Sequence, residues 1–311
     1  MTDESKLIFL VSQPRSGSTL LQKLVSNNEF VDTVSEPWLL LPLLSIYKPD
    51  LINAEYNYPV SIKGFFDYLQ KKGNENEFRQ EYKKLILSLY KVKDSRQFFI
   101  DKTPRYYEML PEIMQLFPNA KYLILKRNPF ASLQSMLSTW SNGKIDYKLF
   151  MTFYRDFLAA PFLIQQFLEK NGLEKNLFEV KYEDIVSSSS ITVKSIYDWL
   201  GIPFNESVLE LERNKKAEGI YGDDVYKKEP LKEIKSCSLN SWRDILADKE
   251  MMVFFSEYQK FLSEEFVSKY GYSPEKFNDG VFGFGKNKFK EFLLLLEKTN
   301  KKSISRKNYS I

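Results

Sequence analysis

A polar turn near the start of the chain has the residue types that bind phosphate. The turn SQPRSGST, residues 12–19, follows an apolar run and precedes apolar residues at helical spacing. It occupies the register of a Walker A loop, but Ser12 replaces the first glycine and Ser18 replaces the lysine. Backbone N–H groups at the start of a helix bind oxyanions even without that lysine. The turn therefore predicts a site for one phosphate with a neighbouring anionic group, and a triphosphate with Mg²⁺ is disfavoured.

An ordinary strand-to-helix turn with a serine cap is the alternative interpretation of this stretch. Pro14 stands before Arg15 and Gly17, which gives the turn an unusual shape and places a cation within it. These two features favour anion binding over a plain cap.

A second anion site is indicated at the end of another apolar run. In KYLILKRNPFASLQS, residues 121–135, Asn128 can cap a helix that has Pro129 at its first position, and Ser135 lies in the second turn. A nucleotide hydrolase needs a carboxylate at such a strand end to hold Mg²⁺, whereas this chain has Arg127. Two anion sites at one sheet edge suit a nucleotide with phosphates at separate positions. The alternative is a surface arginine at a strand end.

The alternation of strand and helix patterns predicts the fold class. Apolar runs followed by polar turns predict buried strands at Lys6–Val11, Gln97–Ile100, Lys121–Leu125 and Leu177–Lys181. Helical periodicity predicts helices at Gly17–Ser26, Glu77–Val92, Tyr107–Phe117, Phe130–Trp140, Leu149–Glu169, Thr192–Leu200 and Lys249–Tyr270. We predict an α/β, P-loop-like three-layer fold, with a central parallel sheet flanked by helices on both faces. Such sheets bind ligands beyond the carboxyl ends of their strands, where both anion sites fall.

Composition limits the classes of function. The 45 basic and 41 acidic residues leave a net charge of +4, too small to indicate a nucleic-acid partner. The chain has no histidine, which excludes a histidine base, histidine-ligated zinc and Ser-His or Cys-His catalytic pairs. Its one cysteine, Cys237, excludes an internal disulfide and suits a reducing compartment. With no signal-peptide pattern and no long apolar run, we expect a cytoplasmic protein without a transmembrane segment.

The chain is expected to form one α/β domain over residues 1–280, followed by a C-terminal helix and a basic tail over residues 281–311. The stretch FKEFLLLLEK in the second part is predicted to dock on the domain. A weak membrane-surface helix is the alternative. The lysine-rich residues after it are predicted to be solvated.

These segments resemble the sulfotransferase superfamily. SQPRSGSTLLQKL is similar to the superfamily's loop for a 5′ phosphosulfate, and LKRNPFASLQS is similar to its segment for a 3′ phosphate. VKYEDI followed by IYDWLGIPFNESVLE resembles a strand and helix common in these enzymes. The resemblance covers roughly residues 6–275 and is nearest in pattern to the carbohydrate and protein-tyrosine sulfotransferases, in a soluble bacterial-like form.

The resemblance implies that 3′-phosphoadenosine 5′-phosphosulfate (PAPS) is the sulfuryl donor and that no metal is needed. The residues it implies for the 5′ phosphosulfate are Arg15, Ser16, Gly17, Ser18 and Thr19. Arg127 and Ser135 would hold the 3′ phosphate, and Tyr182 of KYED would lie near the nucleotide. Trp242 resembles a tryptophan of a late family segment, although a core aromatic residue is an equally good interpretation.

Sulfuryl transfer needs in-line positioning, cations near the leaving oxygen and a base for the acceptor hydroxyl. Glu36, which follows the strand-like Phe30–Val34, is the predicted base. The resemblance implies this role, because carbohydrate and protein-tyrosine sulfotransferases look like they use a glutamate after the first helix. Lys102, just past a buried strand, is the second predicted catalytic residue beside Arg15. The alternatives are a surface carboxylate for Glu36 and, for Lys102, a surface charge cluster with its neighbours Asp101 and Arg105.

The acceptor is expected to be a hydroxyl compound, a sugar or glycan, with a peptide tyrosine or a small alcohol as alternatives. The connections that could wall its pocket are Leu39–Tyr68, Trp140–Asp146 and Ala217–Leu239. Candidates for contact with it are Tyr56, Tyr58, Tyr221, Tyr226, Lys227 and Lys228. Two rival functions stay open, a degenerate P-loop kinase that uses ATP and Mg²⁺, and a nucleotide-binding protein without catalysis.

Overall fold

One five-stranded sheet organises the structure. The computed structural model describes residues 3–90, 97–211, 234, 239–277 and 287–298. The strands are β1 (Leu7–Ser12), β2 (Val31–Val34), β3 (Phe98–Lys102), β4 (Lys121–Lys126) and β5 (Leu177–Lys181). They are arranged β2-β3-β1-β4-β5, and every neighbouring pair is parallel. All five carboxyl ends therefore meet at one edge of the sheet.

The strands are apolar because helices cover both faces of the sheet. All six residues of β1 are buried. Phe9 and Val11 belong to the hydrophobic core on one face, whereas Ile8 and Leu10 belong to the core on the other. A strand buried on both faces has no polar side to alternate with its apolar one. The predicted three-layer α/β fold is confirmed, and the four predicted strands are found with ends within two residues of those expected.

The helices fall into two layers. In chain order they are α1 (Ser18–Ser26), α2 (Leu40–Leu43), α3 (Tyr58–Lys72), α4 (Glu75–Leu89), α5 (Leu110–Leu116), α6 (Pro129–Trp140), α7 (Tyr147–Leu158), α8 (Ala160–Asn171), α9 (Tyr182–Ser187), α10 (Ser189–Leu200), α11 (Lys249–Leu262), α12 (Glu264–Lys269) and α13 (Lys288–Lys298). Helices α1, α9 and α10 contribute to the core on one face, and α4 to α8 with α11 to α13 contribute to the core on the other. Two short 3₁₀ helices, Pro104–Glu108 and Ser241–Ala247, contribute to the same core as α4 to α8.

Two of the predicted helices are wrong, because the structure has two helices in place of each one. The predicted helix Leu149–Glu169 is α7 and α8, because Pro161 lies in the first turn of α8, where a proline suits a helix start. The predicted helix Lys249–Tyr270 is α11 and α12. Between them Ser263 has a φ of +74°, and its hydroxyl accepts the N–H of Phe266 at 3.1 Å. That cap starts a new helix at the break.

The connection Leu39–Tyr68, predicted as a possible wall of the acceptor pocket, contains α2 and most of α3, which were not among the predicted helices. Helix α3 begins where the side chain of Asn57 accepts the N–H of Val60 at 3.3 Å. Its residues are mostly exposed, and Leu69 is its one buried residue. A helix with so narrow a buried face leaves little periodicity in the sequence, which explains why the pattern was not recognised.

Helix α13 packs on the domain. Phe289 lies edge-on to Phe254 with ring centres 5.2 Å apart, and Phe292 lies edge-on to Phe150 at 5.3 Å. These contacts show the C-terminal helix docked on α11 and α7. The predicted boundary at residues 280–281, the tail after residue 298 and Cys237 lie outside the described residues. Within the described residues, no helix is both long and apolar enough to traverse a bilayer.

Candidate active site

Each strand of the sheet leads into a candidate site residue. Lys102 is the last residue of β3, and Arg127 and Tyr182 directly follow β4 and β5. The phosphate turn follows β1, and Glu36 comes two residues after β2. Strand β1 lies in the middle of the sheet, between β3 and β4. The crevice at such a reversal of strand order is where open α/β sheets bind ligands.

The turn after β1 contains two residues with left-handed backbone conformation. Arg15 has a φ of +66°, and Gly17, the residue that precedes α1, has a φ of +92°. The first N–H groups of α1 have no partner within the helix and face this turn. Ser16 is buried, and its hydroxyl lies 3.2 Å from that of Ser132 in α6. The turn is thereby tied to the helix that follows β4.

Gly17 allows the turn to approach Tyr182 closely. A Cβ atom at residue 17 would lie 2.3 Å from Cδ2 of Tyr182, far inside van der Waals contact. Arg127 also contacts this tyrosine, and its guanidinium lies 4.3 Å from the ring centre. Glycine is therefore required here by both its backbone conformation and its lack of a side chain.

Arg127 is held against the turn but keeps one donor unused. Its Nη1 donates to the backbone oxygen of Arg15 at 3.0 Å. Its Nε is buried and has no hydrogen-bond partner among the described residues. A buried guanidinium N–H without an acceptor is costly, and a ligand oxygen would remove that cost. The residues present therefore fit an oxyanion at this point.

The two segments predicted to bind anions contact each other. The Nε of Arg15 donates to the hydroxyl of Ser135 at 3.3 Å, across 120 residues of sequence. Together with the bond from Arg127 to the Arg15 backbone, this contact puts both arginines and Ser135 side by side. The first N–H groups of α1 are next to them.

Glu183 is a positioning residue that the sequence reasoning missed. Its Oε1 accepts the N–H of Asn128 at 3.0 Å, and its Oε2 accepts the hydroxyl of Tyr272 at 2.8 Å. Asn128 in turn accepts the N–H groups of the first residues of α6. The carboxylate thus fixes the direction in which Arg127 leaves β4. The only signal in the sequence was an acidic residue directly after Tyr182.

Glu36 and Lys102 form an ion pair. The Nζ of Lys102 lies 2.9 Å from Oε1 of Glu36. The lysine side chain is 1% exposed and the glutamate side chain 18% exposed. The predicted alternative, a surface cluster around Lys102, is wrong, because the lysine points into the protein. The two predicted catalytic side chains meet at the edge of the sheet, and only the carboxylate is open to solvent.

A buried hydrogen-bond network surrounds Asp101, the residue before Lys102. Its carboxylate accepts the hydroxyls of Tyr90 at 2.7 Å, Tyr106 at 2.9 Å and Thr103 at 2.9 Å. Burial raises the pKa of Asp101 to about 6, against the effect of these hydrogen bonds and of the charge on Lys102. The network pins the end of β3, from which Lys102 extends.

Tyr106 extends this network to the segment that carries Glu36. Its hydroxyl donates to Asp101 and also accepts the backbone N–H of Leu40 at 3.0 Å. One buried hydroxyl thus connects the strand of Lys102 with the start of α2, four residues after Glu36.

Other candidates take structural positions or are not described. Trp242 is buried and stacks on Phe130 and Phe255, with ring centres 5.5 and 6.3 Å apart, so it is a core residue. Tyr56 and Tyr58 contact each other at the start of α3, with ring centres 6.1 Å apart. The remaining acceptor candidates, Tyr221, Tyr226, Lys227 and Lys228, lie outside the described residues.

Two solved structures of sulfotransferases illustrate what the chain aligns with. A sulfotransferase domain from the curacin biosynthetic pathway is 20% identical and aligns with 76% of this chain and 90% of its own, at a TM-score of 0.49. A mouse sulfotransferase complexed with PAP is 15% identical and aligns with 88% of this chain and 91% of its own, at a TM-score of 0.48.

Curated relatives include proteins from bacteria and animals. Nodulation protein NoeE of Sinorhizobium fredii is 30% identical over 136 residues, or 43% of this chain and 32% of that protein. Protein-tyrosine sulfotransferase A of Caenorhabditis elegans is 26% identical over 215 residues, or 67% of this chain and 53% of that protein. The chain thus spans about a third to a half of the length of these relatives.

A family model also matches the chain. It describes a sulfotransferase family and matches residues 8–206, which is more than half of the chain. The matched stretch includes the phosphate turn, Glu36, Lys102, the Arg127 segment and Tyr182. The chain therefore belongs to the sulfotransferase family.

Proposed function

We propose that this enzyme transfers the sulfuryl group of PAPS to a hydroxyl of a sugar or glycan. The observation that carries the proposal is the buried Nε of Arg127 beside the start of α1, for which the described part of the chain offers no acceptor. It adds a second place for an oxyanion to the one at the helix start, and PAPS has anionic groups at two separate positions. A peptide tyrosine or a small alcohol is the alternative acceptor, and the relatives include a protein-tyrosine sulfotransferase.

In this proposal the donor lies across the turn and the start of α6. The 5′ phosphosulfate is held by Arg15, Ser16, Gly17, Ser18 and Thr19, mainly through the N–H groups at the start of α1. Arg127 and Ser135 hold the 3′ phosphate, and Tyr182 lies beside the nucleotide. Bound PAPS supplies a sulfuryl group attached to a phosphate leaving group. Arg15 and the N–H groups offset the charge that this phosphate gains in the transfer.

The acceptor chemistry is assigned to the ion pair. Glu36 is the base that takes the proton of the acceptor hydroxyl, because it is the exposed member of the pair. Lys102 is placed to offset charge on the transferred group. The proposal needs neither a histidine nor a metal ion. A cytoplasmic location belongs to the same proposal, and the single cysteine in 311 residues is compatible with it.

The direct test is Glu36→Gln in a sulfuryl-transfer assay with labelled PAPS. We expect turnover to fall about 10²- to 10⁴-fold, the usual contribution of a general base. Binding of the product nucleotide 3′,5′-adenosine bisphosphate (PAP), measured by calorimetry, should change little. Glu81→Gln, an exposed glutamate of α4 that pairs with Lys84, is the matched control and should leave both quantities unchanged.

Two outcomes would count against the proposal. Full turnover by the Glu36→Gln variant would remove the assigned base. Tighter binding of ATP with Mg²⁺ than of PAP to the unmodified protein would instead favour the kinase alternative.

A further inference from the structure

Arg105 lies in an aromatic wall next to the proposed base. It belongs to the 3₁₀ helix Pro104–Glu108, which follows β3. Its guanidinium is 5.3 Å from the ring centre of Trp38 and 5.8 Å from that of Trp140. Trp38 is two residues after Glu36 in the chain, and both tryptophans are partly exposed. The wall is thus built from a residue next to the base and from the last residue of α6.

The guanidinium is fixed by an ion pair with Asp156. Its Nε lies 3.0 and 3.1 Å from the two carboxylate oxygens, and its Nη2 lies 2.6 Å from Oδ2. Asp156 is buried and also accepts the hydroxyl of Tyr107 at 2.7 Å. Its backbone oxygen accepts Nε2 of Gln13 at 3.0 Å, which links the pair to the phosphate turn. The Arg105 side chain is 32% exposed, so it is partly accessible while it is held by this pair.

One edge of the guanidinium is left for a ligand. The two nitrogens that face Asp156 are Nε and Nη2, and Nη1 has no hydrogen-bond partner among the described residues. Burial by itself lowers the pKa of Arg105, but the hydrogen bonds and charge of Asp156, with smaller contributions from Tyr107 and Glu36, raise it above its usual value. Glu36 itself pairs with Lys102, three residues before Arg105 in the chain.

Among the described residues, the two ion pairs beside this wall are balanced in charge. Lys102 and Arg105 are positive, and Glu36 and Asp156 are negative. Two balanced ion pairs give little attraction to an acidic peptide or to an anionic sugar. A guanidinium that is already paired donates its remaining N–H to a neutral oxygen, such as a hydroxyl. Flat indole faces suit the apolar face of a sugar ring.

We propose that Trp38, Arg105 and Trp140 form the acceptor subsite, and that it takes an uncharged pyranose ring. The ring lies against the indoles, Nη1 of Arg105 donates to one of its hydroxyls, and another hydroxyl faces Glu36. Helix α6 then serves both substrates, since it begins at the proposed 3′ phosphate site and ends at Trp140. This inference rests on the proposed function and specifies its acceptor.

The test measures ligand binding by saturation-transfer NMR on the complex of the full chain with PAP. The probes are uncharged gluco-, galacto- and mannotetraose, and an uncharged tyrosine pentapeptide. We expect at least one tetrasaccharide to receive saturation, and Trp140→Phe to weaken its binding about five- to tenfold while PAP binding stays within twofold. The phenylalanine keeps an aromatic ring beside Phe153, which Trp140 contacts with ring centres 4.9 Å apart.

Trp199→Phe is the matched control. Trp199 is another half-buried indole with a cation, Lys121, 4.9 Å from its ring centre, but it packs with the core on the opposite face of the sheet. This variant should leave saccharide binding unchanged. Equal losses in both variants, or saturation of the pentapeptide but of no tetrasaccharide, would overturn the subsite.

The failure of the subsite differs from a failure of the proposed function. If PAP binds and the pentapeptide is sulfated while no saccharide binds, the donor chemistry holds and the subsite is wrong. If PAP does not bind, the proposed function fails. The saccharide titrations are then repeated without PAP, and they still test the subsite, because Trp140→Phe must weaken saccharide binding to the free protein too.

Discussion

Arg127→Ala should weaken the binding of PAP far more than the binding of AMP, which lacks the 3′ phosphate. In the structure the guanidinium of Arg127 makes two contacts that do not depend on that phosphate. It stacks on Tyr182 at 4.3 Å and donates to the backbone oxygen of Arg15 at 3.0 Å. Its buried Nε is the donor assigned to the 3′ phosphate.

The magnitude follows from these contacts. Loss of the stacking and of the backbone hydrogen bond loosens the turn for both nucleotides, at about 0.5–1 kcal/mol and about 1 kcal/mol respectively. Loss of the charged hydrogen bond to the 3′ phosphate weakens the binding free energy of PAP by a further 1.5–3 kcal/mol or so. The ratio of the two dissociation constants should therefore change by about 10- to 150-fold.

The assay is calorimetry with both nucleotides on the unmodified protein and on the variant. Lys126→Met is the matched control, because Lys126 is the neighbouring cation but turns away, with its Nζ 2.9 Å from Glu179 and 4.5 Å from the ring centre of Tyr270. We expect that control to leave the ratio within about twofold. If Arg127→Ala weakens both nucleotides equally, the 3′ phosphate does not lie on Arg127.

Three further predictions concern the supports of the site. Tyr106→Phe should lower kcat about tenfold or more without changing the KM for PAPS, because it leaves the N–H of Leu40 without its acceptor. The control is Tyr122→Phe, whose hydroxyl donates to a backbone oxygen in the same core; it should lower only the melting temperature. Equal kcat values for the two variants would refute the connection between Tyr106 and the segment of Glu36. Gly17→Ala should abolish detectable PAP binding, because its new Cβ would clash with Tyr182. The control Gly201→Ala, at a φ of +72° and with no atom of the described residues within 4 Å of its new Cβ, should cost only about 1 kcal/mol of stability. Similar behaviour of the two variants would mean that the clash in the turn is relieved. The pKa of Asp101 in the folded protein, about 6, exceeds its ordinary value of 3.8. The free energy of unfolding should therefore fall by up to about 3 kcal/mol as the pH rises from 4 to 6, relative to that of the Asp101→Asn variant. Urea unfolding measures it, and parallel pH dependences for the two proteins would contradict the prediction.

The parts of the site that lie in local patterns could be predicted. A buried parallel strand is a continuous apolar run, and a phosphate-binding helix start is a short polar turn, so both segments with arginines were recognisable. Arg15 and Ser135 were singled out separately, and their side chains meet across 120 residues. The order of strands and helices was sufficient for the fold class, because it leaves few topologies for a parallel sheet.

The parts that depend on the topology could not be predicted. Glu183 accepts the N–H of Asn128, which lies 55 residues earlier in the chain. Asp156 binds the guanidinium of Arg105, which lies 51 residues earlier. Neither acidic residue differs locally from a surface carboxylate. Ser263 breaks a helix at a φ of +74°, a conformation for which serine gives no warning. Pro161 is different, since a proline in an apolar helical pattern is a readable sign of a helix start.

The most direct measurement is a crystal structure of the protein with PAP. The account predicts that the 5′ phosphate lies on the N–H groups of Ser16 to Thr19, and that the 3′ phosphate lies within hydrogen-bond distance of Nε of Arg127 and of the Ser135 hydroxyl. A nucleotide bound at another edge of the sheet, or with the Nε of Arg127 still without an acceptor, would contradict it.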